Sequence, residues 1–316
     1  MRRLLRSLAL LLLLMTGSLQ AQTACIGVIS AGGGTLFWRE VEQGALRAGR
    51  ELGVRIYFRG PGSESEPLLQ AKLIRVVEDM SCEALVLAPN VPDRADDVAR
   101  LRAKGIPTVH IDRDYGNAPV VGVYATDNFR AGELAGERMA TLLGPGGRVL
   151  LLRMSRGVAS TDAREAGFVA AVQRHGLSIV AEAWIGSAIR DARTIAADAL
   201  KRAHGQIDAV FTPNEATTQS ALAALRDLDL LGKVKVIGFD FTRDFATQMQ
   251  AGALHGVVVQ RPREMGYLGV KAAFRAARGE APLVGLVDTG AYFVGPGNLQ
   301  EPLIQEALSP YLRGGR

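Results

Sequence analysis

Residues 105–114, GIPTVHIDRD, set an acid beside a base, Asp112 and Arg113, at the end of a short apolar run. An ionised carboxylate only accepts hydrogen bonds and a guanidinium only donates them. Side by side, the two satisfy vicinal hydroxyl groups, each of which does both. Alone, such a pair reads as a surface ion pair in a loop. Four more polar residues shift that reading: Arg164 in STDAREAGF, Asn214 in AVFTPNE, Asp240 ending VIGFD and Gln260 ending GVVVQ. Each closes a strand-like run or opens a helix-like one, and the two amides carry donor and acceptor in one group. The charges of Asp112, Asp240, Arg113 and Arg164 sum to zero, which favours a neutral, polyhydroxylated ligand. Phe37 and Trp38 stand together just past a glycine-rich loop. Neighbours on a helix lie about 100° apart, so one core-facing stripe does not easily take both. A ring lying on the apolar C–H face of such a ligand accounts for the second.

These residues need a scaffold, and the hydrophobic pattern supplies one. Short apolar runs at 26–30, 54–58, 84–88 and 108–111 alternate with amphipathic stretches at 37–52, 67–80 and 93–104. That alternation predicts right-handed βαβ units and a parallel sheet covered on both faces. A short strand in 120–128 runs into a polar turn, and a helix over 129–143 stops at the GPGG turn. Then the alternation restarts, with strands at 148–153, 178–184, 209–215, 235–240 and 254–260. Helices are expected between them at 161–175, 191–204, 217–228 and 245–251. The fold class is therefore α/β, with two doubly wound parallel-sheet lobes. Three crossovers are expected, near 125–127, 260–261 and 288–290; the second returns a helix over 263–278 to the first lobe. The first lobe then comprises 25–125 plus 261–289, and the second 126–260 plus 290–316. Open α/β sheets bind ligands beyond the carboxyl ends of their strands, where the polar residues fall.

The chain has 316 residues, 48% hydrophobic and 22% charged, enough to build two cores. Its formal charge is +5, but Lys and Arg are scattered among Asp and Glu, which argues against nucleic acid. The four histidines and two cysteines have no zinc-ligand spacing, so no metal is expected. Arg2, Arg3 and Arg6 precede an apolar run at 8–15, and Ala21 offers a cleavage point: residues 1–21 read as a secretory signal peptide. An alternative uses Thr23-Ala24-Cys25 as a lipid-anchor site. Gly32-Gly33-Gly34 follows the first strand but misses the G-x-G-x-x-G spacing, because Phe37 stands where a glycine is needed. No cofactor is expected, although Arg59 at the end of the second strand would suit a phosphorylated ribose in an NADP-dependent enzyme. Asp112 and Asp240 would serve as the acid/base pair of a glycoside hydrolase; accepting from hydroxyls is the simpler role.

GIPTVHIDRD, TDNFRAGELAG, AREAGFVAAV, AHGQIDAVFTPNE, VIGFD and VVVQRPREMGYLGV together resemble the ribose-binding-protein group of periplasmic binding proteins, with the type I fold. The resemblance runs from Ile26 to about Asp288. It implies sugar contacts at Phe37, Trp38, Asp112, Arg113, Arg164, Asn214, Asp240 and Gln260. Thr35 stands where ribose binders carry asparagine. The aromatic expected near Ala188 is absent, with Trp184 or Ile189 as replacements. The resemblance implies a non-catalytic periplasmic receptor, a monomer that closes about a hinge on a neutral monosaccharide. Its partner would be an ABC-importer permease or, alternatively, a membrane sensor: a sensor kinase or chemoreceptor.

Cys25 precedes the first strand and Cys82 the third. In the doubly wound order 2-1-3-4-5 those strands are adjacent and parallel, about 4.8 Å apart. A Cys25–Cys82 disulfide is therefore expected, at the sheet edge opposite the crevice, in an oxidising compartment.

Overall fold

The computed structural model describes residues 24–280 and 285–313. The signal-peptide reading of 1–21 lies outside them. The first half of the chain runs β1 (Cys25–Ile29), α1 (Leu36–Leu52), β2 (Arg55–Arg59), α2 (Pro67–Asp79), β3 (Ala84–Leu87), α3 (Arg94–Ala103), β4 (Thr108–Ile111) and β5 (Val123–Ala125). After α4 (Asn128–Leu143) the pattern repeats as β6 (Arg148–Arg153), α5 (Ala159–Arg174), β7 (Ser178–Trp184), α6 (Ile189–Arg202), β8 (Ala209–Phe211), α7 (Glu215–Asp227), β9 (Lys235–Phe239), α8 (Arg243–Gln250) and β10 (Gly256–Gln260). The chain ends with α9 (Pro262–Ala277), β11 (Leu286–Asp288), β12 (Ala291–Val294) and α10 (Pro302–Arg313).

Two six-stranded sheets result, ordered β11-β5-β4-β3-β1-β2 and β12-β10-β9-β8-β6-β7. Setting aside the outer strands, each has the 2-1-3-4-5 order, so the two lobes repeat one topology. The apolar residues of the central strands are buried on both faces of the sheets (Ile26, Val28, Leu85, Val86 and Leu87 in one sheet; Leu150, Leu151, Val210 and Phe211 in the other). That is why they read as continuous apolar runs and do not alternate.

The chain crosses between lobes at 289–290, within the expected 288–290. It forms a strand on each side. β11 extends the first sheet in parallel to β5, while β12 runs antiparallel to β10. The second sheet is thus parallel except at this edge. The reason is chain direction: β11 and β12 are joined by only two residues, Thr289 and Gly290, which carry the chain straight on from one sheet to the other. Three short crossings join the lobes, after β5, β10 and β11. Two of them are bonded together: Asp288 Oδ1 accepts from the amides of Asp127 and Gly290 (2.9 and 2.8 Å), and the Thr289 amide donates to the Ala125 carbonyl (2.9 Å).

Cys25 and Cys82 form a disulfide. The Glu83 amide donates to the Cys25 carbonyl at 2.8 Å, so β1 and β3 are in register up to the bridge. With its sulfur bonded to Cys82, Cys25 has no free thiol in this structure, an arrangement that does not favour the lipid-anchor alternative. Among the described residues no helix is long and apolar enough to cross a membrane.

Candidate ligand-binding site

A cavity of about 390 Å³ lies between the lobes, at the carboxyl ends of the strands. From the first lobe it is lined by Thr35, Phe37 and Trp38 at the start of α1, and by Asp112 and Arg113 beyond β4. From the second it is lined by Arg164 of α5, Asn214 after β8, Asp240 after β9 and Gln260 ending β10. The residues singled out from the sequence for ligand contact therefore surround one space.

The charged groups form two satisfied clusters that face each other. In the first lobe, Arg113 Nε donates to Asp112 Oδ2 at 2.7 Å and its Nη1 to Glu64 Oε2 at 2.8 Å. Burial opposes the charge on Arg113, but Glu64 and Asp112 outweigh it and hold the guanidinium firmly protonated. In the second lobe, Arg164 donates to Asn128 Oδ1 (2.8 Å), the Pro213 carbonyl (3.0 Å) and Gln260 Oε1 (2.6 Å). Gln260 Nε2 then donates to Asp240 Oδ1 at 2.7 Å, and Asp240 Oδ2 accepts from the Glu215 amide at 2.9 Å. Burial lowers the Arg164 pKa and raises that of Asp240, each partly offset by the other's charge. Arg164 also lies over the Phe239 ring, 4.4 Å from its centroid. Each cluster holds its side chains in one geometry before a ligand arrives, which lowers the ordering cost of binding.

Local structure explains several placements. Thr35 is the N-cap of α1, yet its hydroxyl makes no capping bond and remains available at the cavity. Asn214 caps α7 through a reciprocal pair with Thr217, its Oδ1 accepting from the Thr217 amide at 3.0 Å; its amide nitrogen lies 3.0 Å from Met154 Sδ. α5 begins at Ala159, two residues earlier than expected, so Arg164 sits in its second turn and not its first. Phe37 and Trp38 are both buried, edge to face with centroids 4.9 Å apart. Both pack into the core of the first lobe, and both also reach the cavity wall.

Gly33 and Gly34 of the glycine-rich loop line the cavity, and the loop also packs closely on a neighbouring segment. A Cβ at Gly32 would come within 2.8 Å of Glu64 Cγ, and one at Gly33 within 3.0 Å of the Pro61 carbonyl oxygen. The glycines let the 61–64 loop close over them and carry Glu64 to Arg113. Arg59, the residue that suggested a phosphorylated ribose, is exposed and bonds its own neighbour's carbonyl at Phe58; it is not among the cavity residues. Of the two candidates for the missing aromatic, Ile189 lines the cavity and Trp184 does not. Trp184 is stacked under Arg156, 3.7 Å away. His110 is buried, its Nδ1 2.6 Å from Asp114 Oδ1.

Sequence reasoning missed Glu64, Ser160, Thr161 and Glu215, all at the cavity. Glu64 lies in a polar turn, GSESEP, where nothing marks one carboxylate above its neighbours. Glu215 occupies the first turn of a helix, where an acid is ordinary because of the helix dipole. With them the cavity carries four carboxyl groups to two guanidinium groups, a balance that disfavours anions.

The sequence profile described as "Periplasmic binding protein domain" matches residues 26–281. The ribose import binding protein of Escherichia coli K12 is 29% identical over 251 residues, covering 77% of this chain and 81% of that protein. A periplasmic component of an ABC-type sugar transport system from Hahella chejuensis superposes with a TM-score of 0.81 at 35% identity, covering 85% of this chain and 99% of the other. A carbohydrate transporter solute binding protein from Agrobacterium radiobacter, solved with D-arabinose, superposes with a TM-score of 0.84 at 28% identity, covering 91% and 99%.

Proposed function

The chain belongs to the periplasmic binding protein domain family, and on that premise we propose that it captures a neutral monosaccharide, a pentose or hexose, between its lobes and delivers it to an ABC-type importer. The observation that carries this is the pair of facing clusters, Asp112–Arg113–Glu64 and Arg164–Gln260–Asp240, around one cavity. Donors and acceptors alternate around the space, as hydroxyls require. Phe37 and Trp38 offer rings to the apolar face of the sugar, and Thr35 and Asn214 complete the ring of polar contacts. Ile189 gives the second lobe an aliphatic wall. The lobes, 25–125 plus 261–289 and 126–260 plus 290–316, swing about the three crossings, and the sugar holds them shut.

Proteins of this family are exported to the periplasm. In this reading residues 1–21 direct export and are removed near Ala21, and the mature protein is a monomer that docks its closed form on an importer permease. The importer is preferred to a sensor because the three related proteins compared above are named for import or transport. A thermal-shift screen of monosaccharides and polyols tests the ligand. Micromolar or tighter binding is expected, worth about −8 kcal/mol or better. A melting temperature that moves only with nucleotides, amino acids or anions overturns the proposal.

A further inference from the structure

Glu215 opens α7 in the second lobe, yet its carboxyl group is buried against the first, and the residue is only 8% exposed. Oε1 accepts from Gln219 Nε2 at 3.2 Å on its own helix. Oε2 has no hydrogen-bond partner. Across the cleft, the start of α1 presents the backbone N–H groups of Leu36 and Phe37, with the Arg39 guanidinium beyond them. At the end of β9 stands Asp240, whose Oδ2 accepts from the Glu215 amide. Arg164, on α5, is turned away to Gln260 and the Pro213 carbonyl. The N–H groups and Arg39 favour a carboxylate here. Burial and the Asp240 charge oppose it more strongly, and push the carboxyl up to about 7.

We propose that closing the lobes on the ligand loads a proton onto Glu215, so that capture is proton-coupled and tightens as pH falls. The inference rests on the sugar-capture reading and adds a linkage to it. With the lobes apart, the start of α1 withdraws and this face of α7 returns to water, where a glutamate ionises near ~4.3. The closed form therefore binds the proton more tightly than the open one. Protons favour closure throughout the interval between the two values, and the advantage is gone above the higher one. Asp240 does not replace Glu215 as the proton's site, because both its oxygens already accept, from Gln260 and the Glu215 amide.

Calorimetry on the mature chain tests this, using the tightest of D-ribose, D-allose and D-arabinose in two buffers of different ionisation heat. At about pH 6.5 most of one proton should be taken up per sugar bound, and affinity should be about twentyfold tighter near pH 5.5 than near pH 7.5. Glu215→Gln imitates the protonated acid. It should take up no proton, show affinity flat with pH, and bind more than a hundredfold tighter than wild type near pH 7.5. Sugar binding by wild type without proton uptake overturns the inference and leaves the sugar reading standing. So does proton uptake that persists in Glu215→Gln. Should that variant not fold, the wild-type buffer comparison decides alone. If none of the three sugars binds at any pH, the reading and the inference fall together.

Discussion

Asp112 and Asp240 occupy the same position in the two lobes. Each follows the fourth strand of its sheet, and each has a left-handed backbone, with φ of 65° and 64°. Each donates its amide to the adjacent strand, at the Tyr124 carbonyl (3.2 Å) and the Val258 carbonyl (2.8 Å). The left-handed turn ends the strand and swings the carboxylate into the crevice. An L-residue carries a strain of about 1–2 kcal/mol there, and aspartate tolerates it better than most. Two kinds of substitution therefore separate charge from backbone. Asp112→Asn and Asp112→Ala should both weaken sugar binding, by about 2–5 kcal/mol, because Arg113 loses a buried partner. Both should lower stability in the absence of sugar, and Asp112→Ala more than Asp112→Asn, because alanine tolerates the left-handed backbone less well. Calorimetry with thermal melts reads both, and unchanged binding in Asp112→Ala would remove the centre of the site.

Arg164→Ala should be at least as costly to binding. It frees three acceptors at once, Asn128 Oδ1, the Pro213 carbonyl and Gln260 Oε1, and leaves Asp240 buried without a nearby cation. A loss of about 2–5 kcal/mol in affinity is expected. Arg164→Lys should recover little, since an ammonium group cannot bridge three acceptors in a plane.

Gly132 controls Arg164 from outside the cavity. A Cβ at Gly132 would lie 2.0 Å from the Arg164 carbonyl oxygen, so α4 and α5 touch backbone to backbone there. Gly132→Ala must push α5 away, at a cost of about 1–3 kcal/mol in stability. It should also move the guanidinium off Gln260 and weaken sugar binding about tenfold or more, as misplacement of a positioned group does. Full affinity in a destabilised Gly132→Ala would show that the site does not depend on this helix contact.

The Cys25–Cys82 bridge spans 57 residues of chain, at the opposite end of β1 from the cavity. On the chain-entropy account it stabilises the first lobe by about 4 kcal/mol. The Cys25→Ser/Cys82→Ser double variant should melt earlier and bind sugar with unchanged affinity at a temperature where it is folded. Mass spectrometry of alkylated protein from the periplasm should find no free thiol before reduction.

His255 gives the second lobe an acid limit. Its Nδ1 accepts from the Val236 amide at 3.2 Å, which only a neutral ring can do. Burial, helped by Lys235, holds its pKa down to about 4. An unfolded histidine protonates near ~6.5, so the unfolded chain gains protons first as pH falls. Stability is complete above the unfolded value and is lost as pH falls toward the folded one. Allowing for the partial exposure of the ring, wild type should lose about 1 kcal/mol more than His255→Asn between ~pH 7 and ~pH 4.5. Equal losses in the two proteins would clear His255.

The alternation of apolar runs and amphipathic stretches was enough to read two α/β lobes, because the period of side-chain burial is set within each element by its own geometry. Strand ends were legible for the same reason. A polar residue closing an apolar run in a parallel sheet must emerge at the carboxyl edge, which is how Asp112, Asp240 and Gln260 came into view. Other features depend on segments that meet only after folding. Glu64 reaches Arg113 from 49 residues away, over glycines whose small size matters only once the two loops touch. Phe37 and Trp38 are both buried because segments distant in sequence, among them β4 and α9, join α1 in the first-lobe core. The choice of Ile189 over Trp184 at the cavity wall, the antiparallel β12 and the unbonded oxygen of Glu215 are likewise invisible in the linear pattern. Local periodicity says which way a side chain points from its own element. It carries no record of what the rest of the chain brings to meet it, and the desolvation that perturbs Glu215 exists only in the assembled pair of lobes.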